Sequence, residues 1–229
     1  MPRAVPVDLV LPARSSALAR PGAWASASAS PARRRGTDAP GVAEALHLHA
    51  DPDPAAGTFS LEFALHQGCA SDWARAAEPG RTIDATVQGT GFTRPDPAPS
   101  RVLAIADAAS LPALNSLLDA VGPAPATIWF ETAEHVTDGG EDPAKGMAGL
   151  PLRVEPARHD LRTVPRLGGG AHLVTQVRDA APELLAETAD PYVWIACDTA
   201  TARSLAAYFR KELGLPKHRV TALGYWRAA

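Results

Sequence analysis

The chain has 229 residues, with 22 Lys+Arg against 25 Asp+Glu and a formal charge of −3. That length holds one domain or two small ones, and the weakly negative balance argues against a nucleic-acid binder, whose affinity needs a cationic surface. Cys69 and Cys197 form no CxxC pair, which speaks against a zinc knuckle or a disulfide scaffold, and no apolar run approaches the roughly 18 residues of a membrane span.

Residues 1–42 read as a disordered leader. Residues 1–40 carry six arginines (Arg3, Arg14, Arg20, Arg33, Arg34, Arg35) against Asp8 and Asp38. The stretch from Ala23 to Pro31 is low-complexity and has little to bury. Pro6 and Asp8 interrupt the only early apolar run, so no secretory signal is expected and the protein is expected in the cytoplasm.

A strand at about Glu44–His49 and one from Thr58 follow, joined by the turn Asp53–Gly57. Phe59, Leu61, Phe63 and Leu65 alternate with smaller or polar residues, the period of a half-buried antiparallel strand. Ala70–Ala77 has the pattern of a short helix, and Arg81–Gln88 alternates again. The run Arg94-Pro95-Asp96-Pro97-Ala98-Pro99 is the clearest domain boundary.

Beyond it, strand and helix alternate. Val102–Ala106 is a short apolar run suited to a buried parallel strand. Leu111–Val121 is helical, and Thr127–Glu131 and Pro151–Glu155 are the next strands. Ala171–Glu187 is a helix with a break expected at Pro182. Tyr192–Cys197 is a strand, Ala202 to Leu213 follow helical spacing, and Val220–Leu223 is the last strand. The class is α/β: a partial antiparallel β-barrel at 43–98, then a Rossmann-like domain at 99–229 with a parallel sheet.

Open parallel sheets bind ligands at the carboxyl ends of their strands. Two strand–helix junctions qualify, Asp107–Ala113 and Cys197–Ala200. Asp107 or Ser110 can simply cap a helix there, and Cys197 can simply be a small buried hydrophobe. Gly168-Gly169-Gly170 lacks a following Lys-Ser/Thr and reads as a flexible loop. His47 and His49 share a strand face but have no evident third ligand, so no metal site is expected.

Three segments resemble the siderophore-interacting proteins, flavin-dependent ferric-siderophore reductases related to ferredoxin–NADP reductases. Tyr192-Val193-Trp194-Ile195-Ala196-Cys197-Asp198, the helix through Arg203, Leu205 and Arg210, and the ending Gly224-Tyr225-Trp226-Arg227 are similar to the family's C-terminal half. Asp107–Ala113 resembles its Asp-Glu-Thr-Ala-Leu-Pro-Ala segment. Phe63–Ala74 resembles its His-Gly-x-Gly-Pro-Ala-Ser-x-Trp-Ala stretch. The likeness covers about residues 45–229, that of an N-terminally truncated, divergent member.

The resemblance implies a barrel that holds FAD and a domain that receives NADPH or NADH, with electrons passing to a ferric siderophore. It implies that Gly68, Cys69, Ala70 and Ser71 line the FAD diphosphate, that Asp107, Leu111, Pro112, Cys197 and Asp198 border the nicotinamide, and that Arg166 attracts the siderophore. It assigns no catalytic side chain. Where the family carries Arg-x-Tyr-Thr-x-Arg, this chain reads Ala45-Leu46-His47-Leu48-His49-Ala50. Three expectations stand: a divergent reductase, a non-catalytic binding or regulatory module that has lost FAD, or a nucleotide-binding domain of unrelated function. An incomplete barrel also leaves an open sheet edge able to self-associate.

Overall fold

The computed structural model describes residues 92–132, 152–186 and 188–227 in full, residues 72 and 75–78, and the backbone of six strands before them. Those strands are β1 (Ala4–Val10), β2 (Ala25–Pro31), β3 (Glu44–Leu48), β4 (Ala50–Asp53), β5 (Thr58–Ala64) and β6 (Ile83–Val87). They form two three-stranded sheets, ordered β1-β5-β4 and β3-β2-β6, with antiparallel pairing.

Two of these strands lie inside the 1–42 segment that composition assigns to disorder. The register gives the physical reason. β1 pairs along its whole length with β5, so Val5, Val7 and Leu9 stand opposite Phe63, Leu61 and Phe59. β2, with little apolar character of its own, likewise pairs with β3 and β6, a long-range influence that local composition does not carry.

A five-stranded sheet follows Pro95. Its strands are β7 (Arg101–Asp107), β8 (Ala126–Thr132), β9 (His159–Pro165), β10 (Pro191–Asp198) and β11 (Val220–Trp226). All pair in parallel, in the order β11-β10-β7-β8-β9. Among the described residues the sheet is covered by the helices α1 (Leu111–Val121), α2 (Ala171–Ala186) and α3 (Thr199–Ala207).

Burial on both faces explains the continuous apolar strands. Val102, Ala104 and Ala106 of β7 pack with Leu114, Leu117 and Leu118 of α1. Leu103 and Ile105 point the other way, to Leu173 and Val177 of α2 and Leu205 of α3. The linker is fixed at the amino ends of the strands: Arg219 Nη1 donates to Pro97 O at 2.9 Å, and Ser100 N donates to Asp190 O at 3.0 Å. At the opposite ends, α1 and the turn before it lie against β5, and α1 also meets β3.

Two expectations are corrected. The third strand of this sheet is His159–Pro165, not Pro151–Glu155. It is an edge strand with exposed and half-buried positions, so it carries no apolar run to betray it. The helix from Ala171 continues through Pro182 to Ala186 instead of breaking there. Beyond α3, Tyr208–Glu212 adds a π-helical turn before Gly214, which has a φ of 69°. The short helix expected at Ala70–Ala77 falls mostly outside the described residues.

Candidate functional site

The chain order of the sheet reverses between β7 and β10, which lie side by side although α1, β8, β9 and α2 separate them in sequence. The loops after these two strands diverge to opposite faces, opening a crevice at their carboxyl ends, where open α/β sheets take ligands. Asp107 ends β7 and Asp198 ends β10. The sequence therefore nominates two residues that the topology brings together.

Each aspartate caps the helix that follows it. Asp107 Oδ1 accepts from Ala109 N at 3.0 Å and Ser110 N at 3.2 Å. Asp198 Oδ1 accepts from Ala200 N at 3.0 Å and Thr201 N at 3.2 Å. These are the amides that a phosphate would otherwise use at a helix start. The fully buried Ser110 joins the two strands where they part: its hydroxyl donates to Ala196 O at 2.6 Å and accepts from Asp107 N at 3.0 Å.

A third carboxylate stands beside them. Strand period two puts Glu131 of β8 on the same sheet face as Asp107, and the two are register partners. Glu131 is 3% exposed and Asp198 2% exposed. Arg166, the residue after β9, bridges them. Its Nη1 forms a short ion pair with Glu131 Oε2 and lies 3.3 Å from Asp198 Oδ2. Its guanidinium sits 4.6 Å from the centroid of the Trp226 ring, and Trp226 Nε1 donates to Asp107 Oδ2 at 2.7 Å. Glu131 Oε1 is buried with no hydrogen-bond partner among the described residues.

Two of the three buried carboxylates, Glu131 and Asp198, share the Arg166 guanidinium, and the third, Asp107, is bonded to Trp226. Burial pushes the Asp107 carboxyl above its ordinary range, against the opposing bonds from Trp226, Ser110 and Ala109. Burial also raises Glu131, with Arg166 opposing it and the charges of Asp107 and Asp198 adding to it. For Asp198 burial alone would raise the value, but hydrogen bonding from Thr201 and the charge of Arg166 outweigh it and hold the carboxyl below its usual range. The site is net negative and suits a group carrying positive charge.

Other nominated residues are placed differently. Cys197 is fully buried in the core face shared with α2 and α3, and burial pushes its thiol well up. Leu111 and Pro112 are buried at the start of α1, with Leu111 packed in the α1 core layer. Gly68, Cys69, Ala70 and Ser71 lie outside the described residues. Arg166 is held by two carboxylates and by the Gly169 carbonyl. The glycine run is not a loose loop: Gly170 has a φ of 99°, and a Cβ there would meet Thr201 Oγ1 at 2.4 Å and Asp198 Oδ2 at 3.3 Å.

Two features of this region are not nominated by the sequence pattern. Glu131 ends an apolar run as its lone acid, the one local signal that points to it. The other is a cavity of about 480 Å³ between α3 and β11, lined by Arg203, Arg210, Tyr225, Trp226 and Arg227 together with small residues.

Comparison with known proteins places this geometry. The family model for siderophore-interacting proteins matches residues 99–229. The chain is 31% identical over 188 residues to the mycobactin import ATP-binding/permease protein IrtA of Mycobacterium tuberculosis, covering 78% of this chain and 19% of that protein. It is 32% identical over 187 residues to IrtA of Mycolicibacterium thermoresistibile, covering 77% and 18%. The chain thus spans about a fifth of the length of these relatives.

Among solved structures, the siderophore-interacting protein of Acinetobacter baumannii aligns with a TM-score of 0.70 at 18% identity, over 100% of this chain and 86% of that one. SipS of Aeromonas hydrophila gives 0.69 at 22%, over 99% and 92%. The ferredoxin–NADP+ reductase of Plasmodium falciparum gives 0.61 at 12%, over 98% and 96%. These likenesses show a shared fold that includes the strands before Pro95. No helix among the described residues is long and apolar enough to cross a membrane. The chain belongs to the siderophore-interacting protein family.

Proposed function

We propose that the chain is a divergent reductase that uses NADPH or NADH, with a flavin, to reduce ferric siderophores and release ferrous iron in the cytoplasm. The observation that carries this reading is the pairing of Asp107 and Asp198 at the switch point of a family-type sheet. When a nicotinamide gives up hydride, its ring becomes a cationic pyridinium. Carboxylates fixed in a dry crevice stabilise that developing positive charge.

The division of labour follows the domains. Residues 99–229 bind the nicotinamide nucleotide and 43–98 contribute the flavin side. Asp107 and Asp198 face the nicotinamide. Trp226 and Arg166 hold those carboxylates in place, and Leu111 and Pro112 fix the start of α1. Cys197 supplies packing and no nucleophile. Gly68, Cys69, Ala70 and Ser71 offer backbone donors and one hydroxyl to the FAD diphosphate. Bound FAD supplies the exchange of one electron pair for two single electrons, which a one-electron ferric acceptor requires. The relatives' names point to a mycobactin-class substrate, and Arg166 attracts an anionic siderophore only where its pairing with Glu131 and Asp198 opens.

The fit to FAD is partial. β3 reads Glu44-Ala45-Leu46-His47-Leu48 and offers no guanidinium, phenol or hydroxyl. Losing a charge-assisted bond and a stacking partner weakens flavin binding on the order of a hundredfold. The same observation favours the second reading, a non-catalytic binding module. Ferrous iron trapped by a chelator from a ferric siderophore, in the presence of NADPH and FAD, separates them. The reductase reading expects a rate above the protein-free flavin blank, and a rate equal to the blank leaves the binding module.

A further inference from the structure

We infer that the open edge of β11 is a docking site for an extended acidic segment of a partner protein, which adds to the parallel sheet as a further strand. The proposed reduction assigns no part to this edge. The sheet ends in β11 on one side and β9 on the other, and each pairs with one neighbour. In a strand pair only alternate backbone groups face the partner, so an edge strand leaves a row of N–H and C=O groups for another strand.

The two edges differ in how they are protected. β9 carries Asp160 and Arg162, paired at 2.8 Å, and ends in Pro165; charges and a proline keep an edge from pairing. β11 reads Val220-Thr221-Ala222-Leu223-Gly224-Tyr225-Trp226, with no charge and no proline. Leu223 is 38% exposed, and Gly224 is exposed beside it. The end carbonyls of β11 are held by the chain itself, Val220 O by Arg210 Nη2 at 2.6 Å and Trp226 O by Thr199 Oγ1 at 2.8 Å. On its outer side no strand pairs with the stretch between them.

Charge selects the occupant. Arg203, Arg210 and Arg227 line the cavity beside β11, and no acidic residue lines it. Lys217 is exposed in the turn that leads into the strand. Among the described residues no carboxylate pairs with any of these side chains, and the nearby Glu212 is taken by Arg178. A second copy of the chain would set a like-charged flank against this one, which disfavours self-pairing through β11. An acidic strand instead meets guanidinium forks, which bind carboxylates through paired hydrogen bonds. Strand period two sets its pattern. Ala222 packs on the α3 face and Tyr225 on the α1 face, so Leu223 shares the side of Tyr225. The incoming strand therefore alternates acids, turned toward α3 and its arginines, with apolar residues beside Leu223.

The test is fluorescence anisotropy of the full chain with a labelled peptide of Val-Glu repeats, with Val-Lys and Pro-Glu repeats as controls. The Pro-Glu peptide keeps the charge and lacks the N–H groups of a strand. The expected result is binding of the Val-Glu repeats alone, weakened about tenfold by Arg203→Gln or Arg227→Gln, as for loss of one charge-assisted contact. Leu223→Glu, which sets an acid on the edge itself, is expected to abolish binding. All three side chains are exposed, so the substitutions leave the core intact. Bound peptide is also expected to slow hydrogen exchange of amides in the stretch from Ala222 to Gly224. No binding of Val-Glu repeats, equal binding of Pro-Glu repeats, or binding without that protection overturns strand addition. So does binding unchanged in all three variants. A concentration-dependent dimer in sedimentation that Leu223→Glu dissociates assigns the edge to a second copy and likewise overturns the proposal.

Discussion

Trp226 reaches back 119 residues to donate its indole N–H to the carboxylate of Asp107, at 2.7 Å. The bond ties the end of the last strand to the end of the first strand of the parallel sheet, across β10, and closes the crevice at the switch point. Trp226→Phe keeps a ring against Arg166 but removes the donor. The variant is expected to lose about 1.5–3 kcal/mol at neutral pH, the range for a hydrogen bond to a charged group. Urea unfolding at neutral and mildly acid pH checks it: the deficit shrinks on acidification, where Asp107 is protonated in the folded state. A variant as stable as the parent at neutral pH contradicts the closure.

Among the described residues Arg166 pairs with two buried carboxylates, Glu131 and Asp198, and its side chain is 19% exposed. Removing one partner from a buried pair strands the rest, so Arg166→Leu is expected to cost about 3–5 kcal/mol near neutrality. The pH dependence has a definite sign. Glu131 titrates above its ordinary 4.5 in the folded chain, so the folded state binds more protons there and stability rises as pH falls through that window. Without Arg166 that window widens and the deficit narrows toward acid. In the parent, Asp198 acts oppositely: its lowered carboxyl contributes stability above 3.8 that is lost as pH falls below it. A pH series of denaturation curves for both proteins measures each slope.

The glycine run separates strain from crowding. Gly169 has a φ of 66° and open space where a methyl group would stand, so Gly169→Ala is expected to cost only the left-handed backbone penalty, about 1–2 kcal/mol. At Gly170 the same change drives a methyl into Thr201 and toward Asp198, adding overpacking of about 1–3 kcal/mol. Thermal unfolding of the two variants ranks them, and equal losses contradict the close approach.

Cys197 is buried among Leu103, Ile105 and the residues of α2 and α3, and its thiol is held protonated by burial and by the nearby carboxylates. Alkylation of the native protein is expected to follow global unfolding, far slower than in denaturant. Labelling at the same rate in both conditions contradicts that placement.

The parallel sheet is legible in the sequence because its signals are local. Val102–Ala106 and Tyr192–Cys197 are buried on both faces and announce themselves as apolar runs. Asp107 and Asp198 are legible as strand-ending caps, although only the strand order shows that they adjoin. The edge strand His159–Pro165 is not, because an edge needs little apolar character. Arg166 stands out for its charge, yet its partners Glu131 and Asp198 come from β8 and β10, contacts that no local pattern contains. Gly170 reads as a loop residue because sequence shows a glycine's freedom and hides what packs against it. β1 and β2 depend on pairing with β5 and with β3 and β6, which composition cannot express.

The central claim is that a nicotinamide docks where β7 and β10 part and delivers hydride to a flavin. Anaerobic mixing of the full chain, supplied with excess FAD, with NADPH tests it through the flavin's visible absorbance. The account predicts bleaching faster than in a protein-free mixture and slowed in the Trp226→Phe variant, where the Asp107 carboxylate loses its anchor. Bleaching no faster than free FAD with NADPH contradicts it.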